Sequence, residues 1–258
     1  MKQTFGYKAK ARQFFVVLLP IFITQLSLMA TGFFNTVMAG HISQQDLAGV
    51  AVGVNLFMPF FGSFLGIISG LTPTISQLYG AGKQEKIGFI VKQGFYWAFA
   101  LGVGFVALGW LTVPYILPLL HLEPQVEYIT SHYLMFLSLG IIPIFISAVL
   151  RNFIDAHGYT RLTMCVTMCT VPTNITLNYI FMYGLLGIPA FGGIGAGIGS
   201  AVTLTILVGY EVGAKRLDDA RQYIKLSRYL TFFTVGTLAL LLTRLRDEIA
   251  AFYTSSIE

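Results

Sequence analysis

Apolar residues fall in seven long runs along the chain, near 13–38, 47–78, 90–119, 127–150, 162–185, 192–210 and 229–252, each bounded by charged or turn-forming stretches. The hydrocarbon core of a bilayer takes about 20 apolar residues per helix. Each run therefore predicts one membrane-crossing helix. The first run follows Lys2, Lys8, Lys10 and Arg12 in the manner of a signal peptide. It is too long for one, however, and the next run starts soon after, which predicts a retained span.

Lysine and arginine stay on the cytoplasmic side because carrying them across is costly. With the N terminus inside, the inner segments hold Lys2, Lys8, Lys10 and Arg12, then Lys83, Lys86 and Lys92, then Arg151 and Arg161, then Lys215, Arg216, Arg221, Lys225 and Arg228. Only Arg244 and Arg246 fall outside this pattern, and the outer loops carry Asp46, Glu123 and Glu127. The expectation is an all-α polytopic membrane protein of about seven transmembrane helices, with the N terminus cytoplasmic and the C terminus outside the cell membrane.

Composition supports the same reading. Of the 258 residues, 55% are hydrophobic and 10% charged, whereas a water-soluble domain carries about a quarter charged residues. The outer surface is therefore expected to meet lipid. Two cysteines are too few for a disulfide-stapled fold. The net charge of +5 does not point to nucleic acid, because the basic residues sit between apolar runs. Every charged residue lies in a loop or near a span end, so no run carries the mid-depth charge that usually marks proton relays.

An internal repeat relates Thr72-Pro73-Thr74-Ile75-Ser76-Gln77-Leu78-Tyr79-Gly80-Ala81-Gly82 to Thr203-Leu204-Thr205-Ile206-Leu207-Val208-Gly209-Tyr210-Glu211-Val212-Gly213. Both threonines, the isoleucine, the tyrosine and the last glycine agree, and each copy runs into a basic linker. Duplicated segments are common in transporters. Convergent chemistry at two inner span ends, a glycine stop and an interfacial tyrosine before basic residues, is the plainer explanation.

Several local motifs carry a family likeness. Pro20-Ile21-Phe22-Ile23-Thr24-Gln25 through Phe33-Phe34-Asn35-Thr36-Val37-Met38-Ala39-Gly40-His41 resembles the first span of the multidrug and toxic compound extrusion family. Leu78-Tyr79-Gly80-Ala81-Gly82-Lys83, Leu150-Arg151-Asn152-Phe153 with Ala156-His157-Gly158, and Asn174-Ile175-Thr176-Leu177-Asn178-Tyr179-Ile180-Phe181 with Gly192-Gly193-Ile194-Gly195-Ala196-Gly197 resemble its later spans in the same order. The resemblance covers residues 13–258. It implies two six-span lobes and expulsion of cationic, aromatic compounds in exchange for protons or sodium. Gly209-Tyr210-Glu211-Val212-Gly213-Ala214-Lys215 is similar to the inner end of the family's eighth span and 229–252 to its ninth. On that reading residues 1–203 form a first lobe and 204–258 a fragment of the second, with about two spans missing near residue 200 and three beyond residue 258.

Candidate chemistry lies on polar positions within the runs. Asn35 stands where the family often has an acid, and asparagine cannot release a proton, although its carbonyl can coordinate an ion. The alternative is a helix-end asparagine satisfying backbone groups. The fifth run is the most polar, with Thr163, Thr167, Thr170, Thr173, Asn174, Thr176 and Asn178. Asn174 and Asn178 are four apart and share a helix face, so they meet either a partner helix or a wet cavity; by resemblance this face lines the first-lobe cavity. Gln25 adds a polar group on the first span, and Tyr179 could stack on aromatic drugs. Pro20 and Pro172, with Pro59 and Pro143, are expected to bend their spans. Cys165 and Cys169 have no zinc-site neighbours and read as packing residues. Gly192, Gly193, Gly195, Gly197 and Gly199 permit close helix approach, and no lysine follows to make a phosphate loop.

The expected function is therefore efflux of amphipathic cations by an ion-driven antiporter, with the bilayer and small cationic substrates as partners. No cofactor, no metal, no enzymatic activity and no nucleic acid is expected, the coupling ion being H+ or Na+. The alternatives are an inactive half-transporter that needs a second copy or a complementary half, and a seven-span receptor. The sequence opposes the receptor, because the last run lacks a mid-depth lysine and the N terminus reads as cytoplasmic.

Overall fold

The computed structural model describes residues 7–185 and 187–213. Within them the chain forms eight helices: α1 (Tyr7–Ile42), α2 (Gln44–Ser69), α3 (Leu71–Gly80), α4 (Gln84–Leu119), α5 (Pro124–Ser138), α6 (Ile141–Ala156), α7 (Thr160–Tyr183) and α8 (Gly192–Gly213). The first six apolar runs all become helical. The seventh run, 229–252, and the second-lobe fragment beyond residue 213 lie outside the described residues.

Among the described residues four helical stretches are long and apolar enough to cross a membrane: Phe14–Ile42, Gln44–Gly80, Gln84–Leu119 and Gly192–Gly209. The pair α5 and α6 makes a fifth, bent by 47°. Helix α7 has 24 residues, roughly 36 Å at 1.5 Å per residue, which is length enough. Its threonines and asparagines lower its apolarity.

Two spans read as single helices from the sequence are interrupted, one at Gly70 and the other at Leu139–Gly140. Both breaks have a local cause. Proline lacks the N–H that would reach the carbonyl four residues back, and Pro73 and Pro143 stand three residues after Gly70 and Gly140. Each proline thus falls in the first turn of a new helix, where N–H groups have no helical partner. The helices run on through Pro20, Pro59 and Pro172. At these three sites Thr24, Ser63 and Thr176 donate to the carbonyl of the proline four residues earlier, at 2.9, 2.8 and 2.8 Å.

Helix α8 is the centre of the assembly: 78% of its apolar window is buried, against 6% for Phe14–Ile42. It packs on α7, α5 and α6, while α1 lies against α7. A second apolar core joins α2, α3, α4 and α6 around Ile75, Phe95, Phe145 and Val149.

Glycines make the central position of α8 possible. Gly193 and Gly197 share one face, and added methyl groups there would meet Asp46 at 3.0 Å and the Tyr133 carbonyl at 2.6 Å. Gly195 and Gly199 share another face, against the Phe181 backbone at 2.6 Å and against Asn178. Two pairs at helical spacing, offset from one another, thus let α8 sit between α2 and α5 on one side and α7 on the other.

Candidate functional site

Wedging α7 between α1 and α8 buries its polar stripe in protein. Thr163, Thr167, Asn174 and Asn178 are all buried, at spacings that keep one helix face. In hydrocarbon such groups need partners, and they find them across the helices. Asn178 Nδ2 donates to Asn35 Oδ1 on α1 at 2.6 Å and to Asn174 Oδ1 at 3.1 Å. Asn174 Nδ2 in turn donates to Thr203 Oγ1 and Ser200 Oγ of α8 at 3.2 and 3.5 Å. Three helices therefore meet in one amide and hydroxyl cluster. Asn178 is fully buried, yet its Oδ1 accepts no hydrogen bond among the described residues. That oxygen sits against Gly199.

The remaining expected site residues stand apart from this cluster. Thr170 donates back to the Val166 carbonyl of its own helix at 2.9 Å. Gln25 is exposed on α1. Tyr179 is about half exposed and pairs with the Tyr183 ring at 4.8 Å, and the Tyr183 hydroxyl donates to the Met38 carbonyl at 3.2 Å. Pro20 is buried within α1, and Pro172 lies inside α7.

Two further polar networks lie at opposite ends of the bundle. Asp46, counted from the sequence as an outer-loop charge, is almost fully buried in the first turn of α2. Its backbone N–H donates to the N-cap Ser43 hydroxyl at 2.9 Å, and the Ser43 hydroxyl donates to Asp46 Oδ2 at 2.6 Å. Its Oδ1 accepts the Gly193 N–H at 2.6 Å. One carboxylate thus serves the starts of two helices, where unpaired donors and the helix dipole favour negative charge. The sequence signal was a Ser-x-x-Asp spacing of the capping-box kind. At the other end Thr163 donates to Asp155 Oδ1 at 2.7 Å, and Arg151 Nη2 donates to Thr167 Oγ1 at 3.4 Å. Asn152 Nδ2 donates to the Ile68 carbonyl at 2.9 Å, beside the break at Gly70.

Apolar helices around a buried polar cluster define a polytopic membrane protein with a protein-lined polar site. Solved transporters share this architecture. The eukaryotic MATE transporter AtDTX14 superposes with a TM-score of 0.75 at 17% identity, over 96% of this chain and 55% of that one. The Vibrio cholerae MATE transporter VcmN in its bent form does so at 0.67 and 21%, over 97% and 58%. A family profile, MatE, matches residues 20–180, and the chain belongs to that family. It is 46% identical over 203 residues to the probable multidrug resistance protein NorM of Bacillus subtilis, covering 79% of this chain and 45% of the relative. To the probable multidrug resistance protein NorM of Oceanobacillus iheyensis it is 41% identical over 212 residues, covering 82% and 47%. The chain spans about half the length of these relatives.

Proposed function

We propose that this chain supplies the ion- and substrate-binding lobe of a multidrug exporter. It would work by alternating access, moving amphipathic cationic compounds outward in exchange for an ion. The multidrug-resistance names of its relatives support the substrate class. The observation that carries the site is the Asn35, Asn174 and Asn178 cluster, where one buried amide oxygen has no donor among the described residues. Polar groups gathered inside a membrane bundle either bond helix to helix or line an ion or substrate path, and the unpaired Asn178 oxygen favours the second.

The chemistry of the cluster favours sodium over the proton. Its three amides and the hydroxyls of Thr203 and Ser200 do not titrate in the working range, but they offer oxygen atoms that can replace part of a cation's hydration shell. Gln25 and the Tyr179–Tyr183 pair are the proposed contacts for the apolar and aromatic parts of a substrate. The proposed orientation keeps Lys83, Lys86 and Lys92 cytoplasmic, which places the cluster nearer the outer face. The matched length of the relatives favours a second reading, in which this lobe exports only together with a complementary half.

Ethidium efflux in a pump-deficient strain tests both. The chain is expressed alone and beside the second half of the Bacillus subtilis relative. Gradient-dependent efflux is expected from the pair, and Asn35→Ala and Asn174→Ala should each lower it about tenfold, the scale of about 1.4 kcal/mol of lost interaction. Unchanged efflux in both variants would remove the site, and gradient-dependent efflux from the chain alone would remove the second reading.

A further inference from the structure

Helices α2, α4 and α5 enclose an apolar groove of about 390 Å³ that does not include the asparagine cluster. Its floor is fixed by aromatic contacts. Phe57 and Phe64 meet the Phe105 ring edge-on at 5.5 and 5.2 Å, and Phe105 rests on Phe145 at 6.0 Å. Its rim is formed by Phe60, Leu108 and Trp110, each more than half exposed, on stretches apolar enough to cross a membrane. The rim therefore opens on hydrocarbon.

The lining chemistry narrows the occupant. Among the described residues no charged side chain lines the groove, so a cation seated there would find no offset for its desolvation. The hydroxyls of Thr112 and Ser138 already donate to the Leu108 and Met135 carbonyls, and Ser138 also accepts from Trp110 Nε1 at 3.4 Å. Ser131 adds a third hydroxyl and Trp110 an indole N–H, while every other lining side chain is apolar, so hydrocarbon matches most of the wall and water only these few points.

Shape narrows it further. Along α4 the lining runs from Phe105 to Ile116, roughly 17 Å at 1.5 Å per residue, close to the ~15 Å of hydrocarbon in one leaflet. Spread over that length, about 390 Å³ makes a slender, elongated groove. An unbranched hydrocarbon chain fits both dimensions.

We propose that this groove is a lipid site holding one acyl chain, drawn from the leaflet on the side of the α4–α5 connection. It is independent of the transport reading and holds whether or not the asparagine cluster binds an ion.

The protein contains two tryptophans, so Trp97→Phe leaves Trp110 as the sole indole reporter beside the groove. Brominated phosphatidylcholine, titrated into the full chain in detergent, should quench Trp110 saturably at about one lipid per chain. Gly109 lines the groove, and a methyl group on it would meet nothing within 4 Å. Gly109→Leu in the Trp97→Phe background should therefore fill the groove and raise the half-saturating lipid concentration at least tenfold, about the effect of excluding two methylenes. Gly104 is equally open but does not line the groove, and Gly104→Leu should stay within about twofold of the parent, since it removes no contact of the bound chain. Leu134→Phe fills the groove from α5 and serves if Gly109→Leu fails to show the parent's helical circular dichroism. Quenching that rises linearly with lipid in every variant would overturn the proposal. So would saturation unaltered by either filling variant, or saturation that tracks protein concentration, which would give the groove to another copy of the chain.

Discussion

A methyl group at Gly199 tests the close packing on which the polar cluster depends. Built on the helix, it would land on the Asn178 side-chain oxygen and come within 2.9 Å of the Asn178 backbone nitrogen and 3.0 Å of its Cα. Backbone cannot yield cheaply, so either α8 moves away from α7 or the Asn178 amide swings aside. Overpacking of this kind costs about 1–3 kcal/mol. Alanine returns about 1 kcal/mol of helix propensity relative to glycine. Displacing the amide also loses its bonds to Asn35 and Asn174, each worth about 0.6 kcal/mol in a membrane bundle. The net expectation for Gly199→Ala is a loss of about 1–3 kcal/mol. Gly104→Ala is the control, since a methyl group there meets nothing within 4 Å and should stabilise by up to about 1 kcal/mol. For a chain of this size 1 kcal/mol moves Tm by about 2–4 °C. Thermal unfolding in detergent at one fixed scan rate should place Gly199→Ala roughly 2–12 °C below the parent and Gly104→Ala at or above it. A Gly199→Ala protein as stable as the parent would refute the interpenetration of α7 and α8.

Two further outcomes follow from the polar networks and the charge pattern. Asp46→Ala removes the acceptor of the Gly193 and Ser43 donors, bonds to a charged group worth about 1.5–3 kcal/mol each; Tm should fall by at least as much as in Gly199→Ala, with Asp46→Asn intermediate, and an unchanged Tm would contradict the clamp. In a background lacking Cys165 and Cys169, a membrane-impermeant maleimide applied to intact cells should label Glu123→Cys and spare Lys86→Cys. The reverse pattern would invert the proposed orientation.

Apolar run length was enough to locate the helices of the first six runs, because hydrocarbon selects for uninterrupted apolarity more strongly than water selects for any soluble pattern. The breaks were harder to read. Pro143 drew attention as a bend, but the interruption falls at Leu139–Gly140, upstream of the ring, where the missing hydrogen bond frees a carbonyl. Gly70-Leu71-Thr72-Pro73 and Gly140-Ile141-Ile142-Pro143 share a Gly-x-x-Pro spacing that Pro20, Pro59 and Pro172 lack. Within the site, Asn174 and Asn178 were legible from helical spacing alone. Their meeting with Asn35 required the tertiary placement of α1, which no local pattern encodes. Asp46 reads as an outer-loop charge because sequence shows its position at a span end but not the N terminus of α8 arriving against it.

The most direct test of the proposed ion site is sodium-dependent stabilisation of the purified chain, measured as Tm against sodium at constant ionic strength with potassium as the replacing ion. Sodium at about 100 times its dissociation constant should add about 2.7 kcal/mol and raise Tm accordingly. The shift should vanish in Asn178→Ala and persist in Gly104→Ala. A Tm indifferent to the exchange of potassium for sodium, or a sodium shift that survives Asn178→Ala, would contradict the account.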